Sequence, residues 1–172
     1  TGYGRTGSLF AHQGFGVVPD ILLLAKGMGG GMPIGAFISR KEIMHRLTHD
    51  PVLGHISTFG GHPVSAAASL ATLNKILDDK LLDAIPEKEA MIREKLSVAP
   101  FREIRGQGLM FAADLGNFDH VLSTIHHATA HGLITDWFLH CGEAVRIAPP
   151  LIITLEELEW GLDTLLKCVQ KP

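Results

Sequence analysis

Three places in the chain combine residue types that could do chemistry. Lys26 closes the apolar run Ile21-Leu22-Leu23-Leu24-Ala25 and opens the loop Gly27-Met28-Gly29-Gly30-Gly31-Met32-Pro33. An amine held at a strand end with little bulk around it can lose solvation and act as a Schiff-base nucleophile. A lysine that only snorkels to the surface satisfies the same pattern. Ser57-Thr58-Phe59-Gly60-Gly61-His62-Pro63 stands just before a helical stretch. Hydroxyls and backbone amides at a helix N-terminus suit an anion such as phosphate, and an ordinary capping loop is the alternative. Arg146 interrupts the apolar segment Ala144-Val145-Arg146-Ile147-Ala148. Its planar fork matches a carboxylate, which is either a substrate's or that of a protein Asp or Glu.

Two other patterns carry less. Gly2-Tyr3-Gly4-Arg5-Thr6-Gly7 matches G-x-G-x-x-G, but no strand precedes it, and no acidic residue stands at the spacing a dinucleotide site needs. His127 and His131 are one helical turn apart with His126 beside them, yet they lack the Glu of H-E-x-x-H and a third ligand. They read as a solvated helix face, and no metal site is expected.

The elements that must position these residues can be read from the pattern. Ile21–Ala25 and Ile34–Ile38 are continuous apolar runs bounded by turn residues, as in strands buried on both faces of a sheet. Val64–Leu77 is rich in Ala and Leu with no internal Gly or Pro, and Pro63 suits a first helical position. A second helix is expected over 87–96. Two short strand pieces follow around Gly106 and Gly108, then a helix over 119–131 ending at Gly132. Leu133–Phe138 and Ala144–Ala148 read as strands. Thr154-Leu155-Glu156-Glu157 is a capping box that starts the last helix. The helix at 63–77 is expected to join a glycine-rich α/β piece to a smaller α+β piece.

Composition narrows the function classes. Hydrophobic residues make up 46% and charged residues 19%, a globular profile, and the formal net charge is −3 with the 15 Lys and Arg scattered. That excludes the basic patch of a nucleic-acid binder. No apolar run reaches the roughly 18–20 residues of a membrane span. Two cysteines make no disulfide framework, so a cytoplasmic setting is expected. The chain opens on Thr1 without a methionine, which reads as a cut chain.

Order and wording together point further. Thr1-Gly2-Tyr3-Gly4-Arg5-Thr6-Gly7 resembles the T-G-x-G-R-T-G segment of the class III pyridoxal-phosphate-dependent aminotransferases, of the ornithine/acetylornithine kind. Pro19-Asp20-Ile21 through Lys26-Gly27 and on to Gly35-Ala36 resembles that family's cofactor-lysine signature. Ser57-Thr58-Phe59-Gly60-Gly61 and Val145-Arg146-Ile147-Ala148-Pro149-Pro150-Leu151 resemble its later segments.

The resemblance implies an α/β chain, the C-terminal part of a fold type I transferase. Residues 1–63 would be a partial large domain, and 64–172 the linking helix and small C-terminal domain. Lys26 would hold pyridoxal 5'-phosphate as a Schiff base and move the α-carbon proton. Thr58 would bind the cofactor phosphate across a homodimer interface, and Arg146 the substrate carboxylate. The implied reaction moves an amino group between an amino acid and a 2-oxo acid. Two other readings are a non-catalytic fragment or interaction module and another type I enzyme, an aminomutase or decarboxylase. The aspartate that pairs with the cofactor's pyridine nitrogen would fall before Thr1, so the 172 residues alone are expected not to turn over. His62 stands where many relatives have Asn.

Overall fold

The computed structural model describes residues 1–98 and 100–169, which form two compact units. The first holds Thr1–Gly4 and Ser8–Lys80; the second holds Arg5–Gly7 and the chain from Leu81 onward. The division falls at the far end of the expected linking helix, so that helix sits in the first unit. The sequence boundary at 63/64 would have grouped it with the second.

In the first unit the order is α1 (Ala11–Gly14), β1 (Ile21–Ala25), β2 (Gly35–Ser39), α2 (Lys41–Met44) and α3 (Pro63–Asp78). β1 and β2 pair antiparallel, from Ile21 opposite Ser39 to Ala25 opposite Gly35. The two runs are strands as expected, but they are not buried on both faces. Leu23 is 75% and Ile38 52% exposed, because this sheet has only two strands among the described residues, and only the alternate residues Leu22 and Leu24 of β1 are half-buried. α3 forms where the Ala- and Leu-rich pattern predicts it. Pro63 occupies its first turn, where the missing N–H costs no intrahelical bond.

The second unit carries the core. Its elements are α4 (Ile85–Leu96), β3 (Glu103–Gln107), β4 (Met110–Asp114), α5 (Phe118–Ala130), β5 (Asp136–Phe138), β6 (Cys141–Ile147) and α6 (Leu155–Val169). The antiparallel sheet runs in the order β3-β4-β6-β5. Residues at helical spacing on α4 (Ile85, Ile92, Leu96), α5 (Val121, Ile125) and α6 (Leu158, Leu162, Leu165) cluster with Phe111, Ala113, Val145 and Ile147 of the sheet. The helices therefore cover one face and leave the other to a mixture of polar and apolar residues, Arg105, Gln107 and Arg146 beside Met110 and Ala112. α6 starts on the predicted capping box. The Glu157 amide donates to Thr154 Oγ1 at 3.1 Å, and the Thr154 amide donates back to Glu157 Oε2 at 2.9 Å. Those bonds hold the Glu157 carboxyl below its ordinary range, the Thr154 amide being the larger cause and its hydroxyl the second.

α5 also stops as expected, with Gly132 left-handed at φ 84° just past its end. The turn takes the following residues with it. The Leu133 amide bonds back to Ala128 O at 2.9 Å, so the strand expected from Leu133 begins only at Asp136. Among the described residues no helix is long and apolar enough to cross a membrane.

Candidate functional site

Lys26 follows β1 directly and begins a 3-10 turn, Lys26–Gly29. Its φ is 54°, a left-handed conformation that costs a non-glycine residue about 1 kcal/mol or more. The turn is pinned from below. Met28 and Gly29 are buried, and left-handed Gly30 runs so close to α3 that an added Cβ would lie 2.1 Å from Thr72 Oγ1. That hydroxyl is itself tied to Ala68 O at 2.8 Å, so it cannot easily yield. Only glycine fits there, and the lysine is consequently held on an anchored turn rather than on a loose loop. Lys26 is exposed. The desolvation expected of it is not supplied within this unit, because a two-stranded sheet builds no apolar wall around the amine. No hydrogen bond or ion pair among the described residues engages its ammonium.

Thr58 lies in the turn before α3 and is exposed, with its hydroxyl unengaged among the described residues. The segment is shaped by backbone bonds, Gly60 N to Ser57 O at 3.3 Å and His62 N to Phe59 O at 3.2 Å. His62 is the N-cap of α3, yet its side chain accepts no bond from the first turn. The helix end is open, with the hydroxyl residues Ser57 and Thr58 just upstream, a donor set suited to a phosphate.

Arg146 sits on β6 in the second unit. Residues opposite one another across antiparallel strands share a face. Register places Arg105, Ala112, Arg146 and Asp136 in one row across β3, β4, β6 and β5, on the face away from the helices. The two arginines differ. Arg105 is bonded to Glu103 and lies 3.6 Å from Asp114, and these carboxylates, Glu103 foremost, raise its pKa. Arg146 meets one carboxylate, Asp136 Oδ2, through Nη2 at 3.1 Å, both side chains being nearly half exposed. A hollow of about 360 Å³, lined by Arg105, Gln107, Met110, Ala112, Phe138 and Thr6, opens on this face.

Lys26 and Thr58 thus lie in the first unit and Arg146 in the second. Sequence reasoning did not single out Asp136, the carboxylate that Arg146 meets. In the sheet it pairs with Arg146 because the β5–β6 ladder shifts register between Trp137 and Phe138. Among the described residues no group of three His, Cys, Asp or Glu could hold a metal ion. His131 Nδ1 instead lies 2.8 Å from the His127 carbonyl.

Comparison with known proteins places the chain in a family. The family model for aminotransferase class-III matches residues 1–169. An acetylornithine aminotransferase of Caldanaerobacter subterraneus subsp. tengcongensis is 38% identical over 96% of this chain, and the match covers 42% of that relative. A leucine/methionine racemase of Thermococcus litoralis is 37% identical over 98% of the chain and 40% of its own length. The solved ornithine aminotransferase of Toxoplasma gondii, in which PLP partly occupies the active site, superposes with a TM-score of 0.88 at 33% identity. That match covers 99% of this chain and 41% of that one. The chain therefore spans about two-fifths of the length of the relatives it matches. It belongs to the class-III aminotransferases.

Proposed function

We propose that this chain contributes the cofactor lysine and the carboxylate-binding arginine of a pyridoxal-phosphate-dependent aminotransferase. The carrying observation is Lys26, an unengaged amine in a left-handed conformation on a turn anchored by Met28 and Gly30. The donor set fits the cofactor: an amine for its carbonyl, and an uncapped helix end with the Thr58 hydroxyl for its phosphate. When bound, the cofactor supplies an electron sink for charge that develops at the substrate α-carbon. Lys26 Nζ holds the cofactor and then carries the proton to and from that carbon. Thr58 donates to the phosphate, in a homodimer from the neighbouring subunit. Arg146 presents its fork to the carboxylate of the amino acid or the 2-oxo acid and fixes which bond at the α-carbon is aligned for cleavage. The protein works as a cytoplasmic enzyme, a setting in keeping with a sequence that holds only two cysteines and no disulfide framework.

The racemase relative favours a second reading, in which the α-carbon proton returns to the other face without amino transfer. One experiment separates the two. The intact protein loaded with pyridoxal phosphate is given ¹⁵N-labelled L-amino acids and 2-oxoglutarate. Label appearing in glutamate, and lost in Lys26→Ala, supports transamination. A D-amino acid without labelled glutamate supports racemisation, and neither product from any donor contradicts both.

A further inference from the structure

The β5–β6 hairpin should, by its turn, place a different residue beside Arg146. Phe138 faces Cys141 across the turn, and counting back in that register would set Asp136 opposite Glu143. The irregularity between Trp137 and Phe138 moves the partner to Arg146 instead. Bulges of this kind re-aim side chains and recur beside functional sites. The shift removes a pairing of two acids and seats a carboxylate on the one arginine of the row whose charge is not already taken twice. That carboxylate engages Nη2 alone, so among the described residues the remaining guanidinium donors stay open for another. Thr135 Oγ1 donates to the Arg146 carbonyl at 2.6 Å, which ties the end of β5 to the same residue.

We propose that Asp136 is a specificity-determining residue of the Arg146 site, a resident carboxylate against which every incoming substrate carboxylate must bind. The inference rests on the reading of Arg146 as the carboxylate receptor. Two effects follow from one contact. Asp136 holds the guanidinium in the row, and its charge repels a second carboxylate on the same fork. Asp136→Asn keeps an oxygen that can accept from Nη2 and removes the charge. Asp136→Ala removes both. The site is thereby tuned to moderate affinity for carboxylates, and the tuning residue is chosen by the bulge rather than by the turn.

The test uses the intact protein and two probes, pyruvate and its neutral amide, with dissociation constants from equilibrium dialysis, a readout independent of turnover. Exposed ion pairs are worth little, so Asp136→Asn is expected to tighten pyruvate by about 1.5- to 5-fold and to leave pyruvamide unchanged. Asp136→Ala should gain less than Asp136→Asn. Arg146→Met should abolish the pyruvate preference. If Arg146→Met abolishes it and Asp136→Asn leaves pyruvate unchanged or weaker, the role of Asp136 is overturned and that of Arg146 stands. Equal tightening of pyruvate and pyruvamide overturns it likewise. If Arg146→Met changes nothing, both readings fall.

Discussion

Gly108 is where the Arg5–Gly7 segment enters the second unit, and its replacement by alanine should be severe. Its φ is +60°, and an added Cβ would lie 2.6 Å from the Thr6 carbonyl carbon and 2.7 Å from both Arg5 O and Gly7 N. These are backbone atoms and cannot rotate away. The left-handed conformation costs an alanine about 1 kcal/mol. Forcing the two backbones apart adds about 1–3 kcal/mol. The bond from Leu109 N to Arg5 O at 2.9 Å would be lost, for about 1 kcal/mol more. The total is about 3–5 kcal/mol. Gly132→Ala is the matched control, since φ is +84° in the same unit but the nearest atom, Trp160 Cη2, stands at 4.0 Å. It should cost about 1 kcal/mol, the conformational part alone. Both tryptophans, Trp137 and Trp160, lie in the second unit, so urea unfolding followed by fluorescence reports on it directly. Two variants within about 1 kcal/mol of each other would refute the steric argument. The same segment carries Arg5, whose guanidinium donates to Leu109 O at 3.0 Å and to Pro149 O, and burial lowers its pKa.

Other perturbations follow from single contacts. Thr154→Ala should destabilise the second unit by about 1 kcal/mol in denaturant titration, through loss of the α6 cap. The Glu157 carboxyl sits below its ordinary value in the folded chain, so its contribution is complete above the unfolded value and fades as pH falls through the folded one. Glu157→Gln should flatten the stability–pH curve in that acid window, and Thr154→Ala, which keeps the amide donor and loses the hydroxyl, should flatten it only in part; an unchanged curve in Glu157→Gln would contradict the capping assignment. The Leu23–Phe37 cross-strand pair is exposed at 75% and 44%, so the 172-residue chain should self-associate through β1 and β2. Leu23→Glu should weaken that association about tenfold in sedimentation velocity, the burial of one such side chain being worth about 1.5 kcal/mol. A wild-type chain that is already monomeric would count against it.

What could be read from the sequence was what is set locally. Pro63 at a first turn, Gly132 past α5 and the Thr154–Glu157 box each act within a few residues, and each stands where local chemistry put it. Burial of β1 and β2 was not legible in the same way. A continuous apolar run reports that a strand is meant to be covered, and the described residues of the first unit cover β1 only in part and β2 hardly at all. The candidate site divides similarly. Lys26 and Thr58 declare themselves through their glycine-rich surroundings, and the grip of α3 on Gly30 explains why those glycines are needed. The Asp136–Arg146 pair stayed hidden because its register depends on an irregularity that no residue pattern marks; the turn alone predicts Glu143 as the partner.

The role of Lys26 can be tested without turnover. Pyridoxal phosphate is added to the protein, the complex is reduced with borohydride, and the pyridoxyl label is located by peptide mapping. The label should fall on Lys26 and vanish in Lys26→Ala, with Lys41, Lys75 and Lys80 of the same unit left unmodified at stoichiometric cofactor. Label spread evenly over those lysines, or retained in Lys26→Ala, would contradict the assignment of Lys26 as the cofactor lysine.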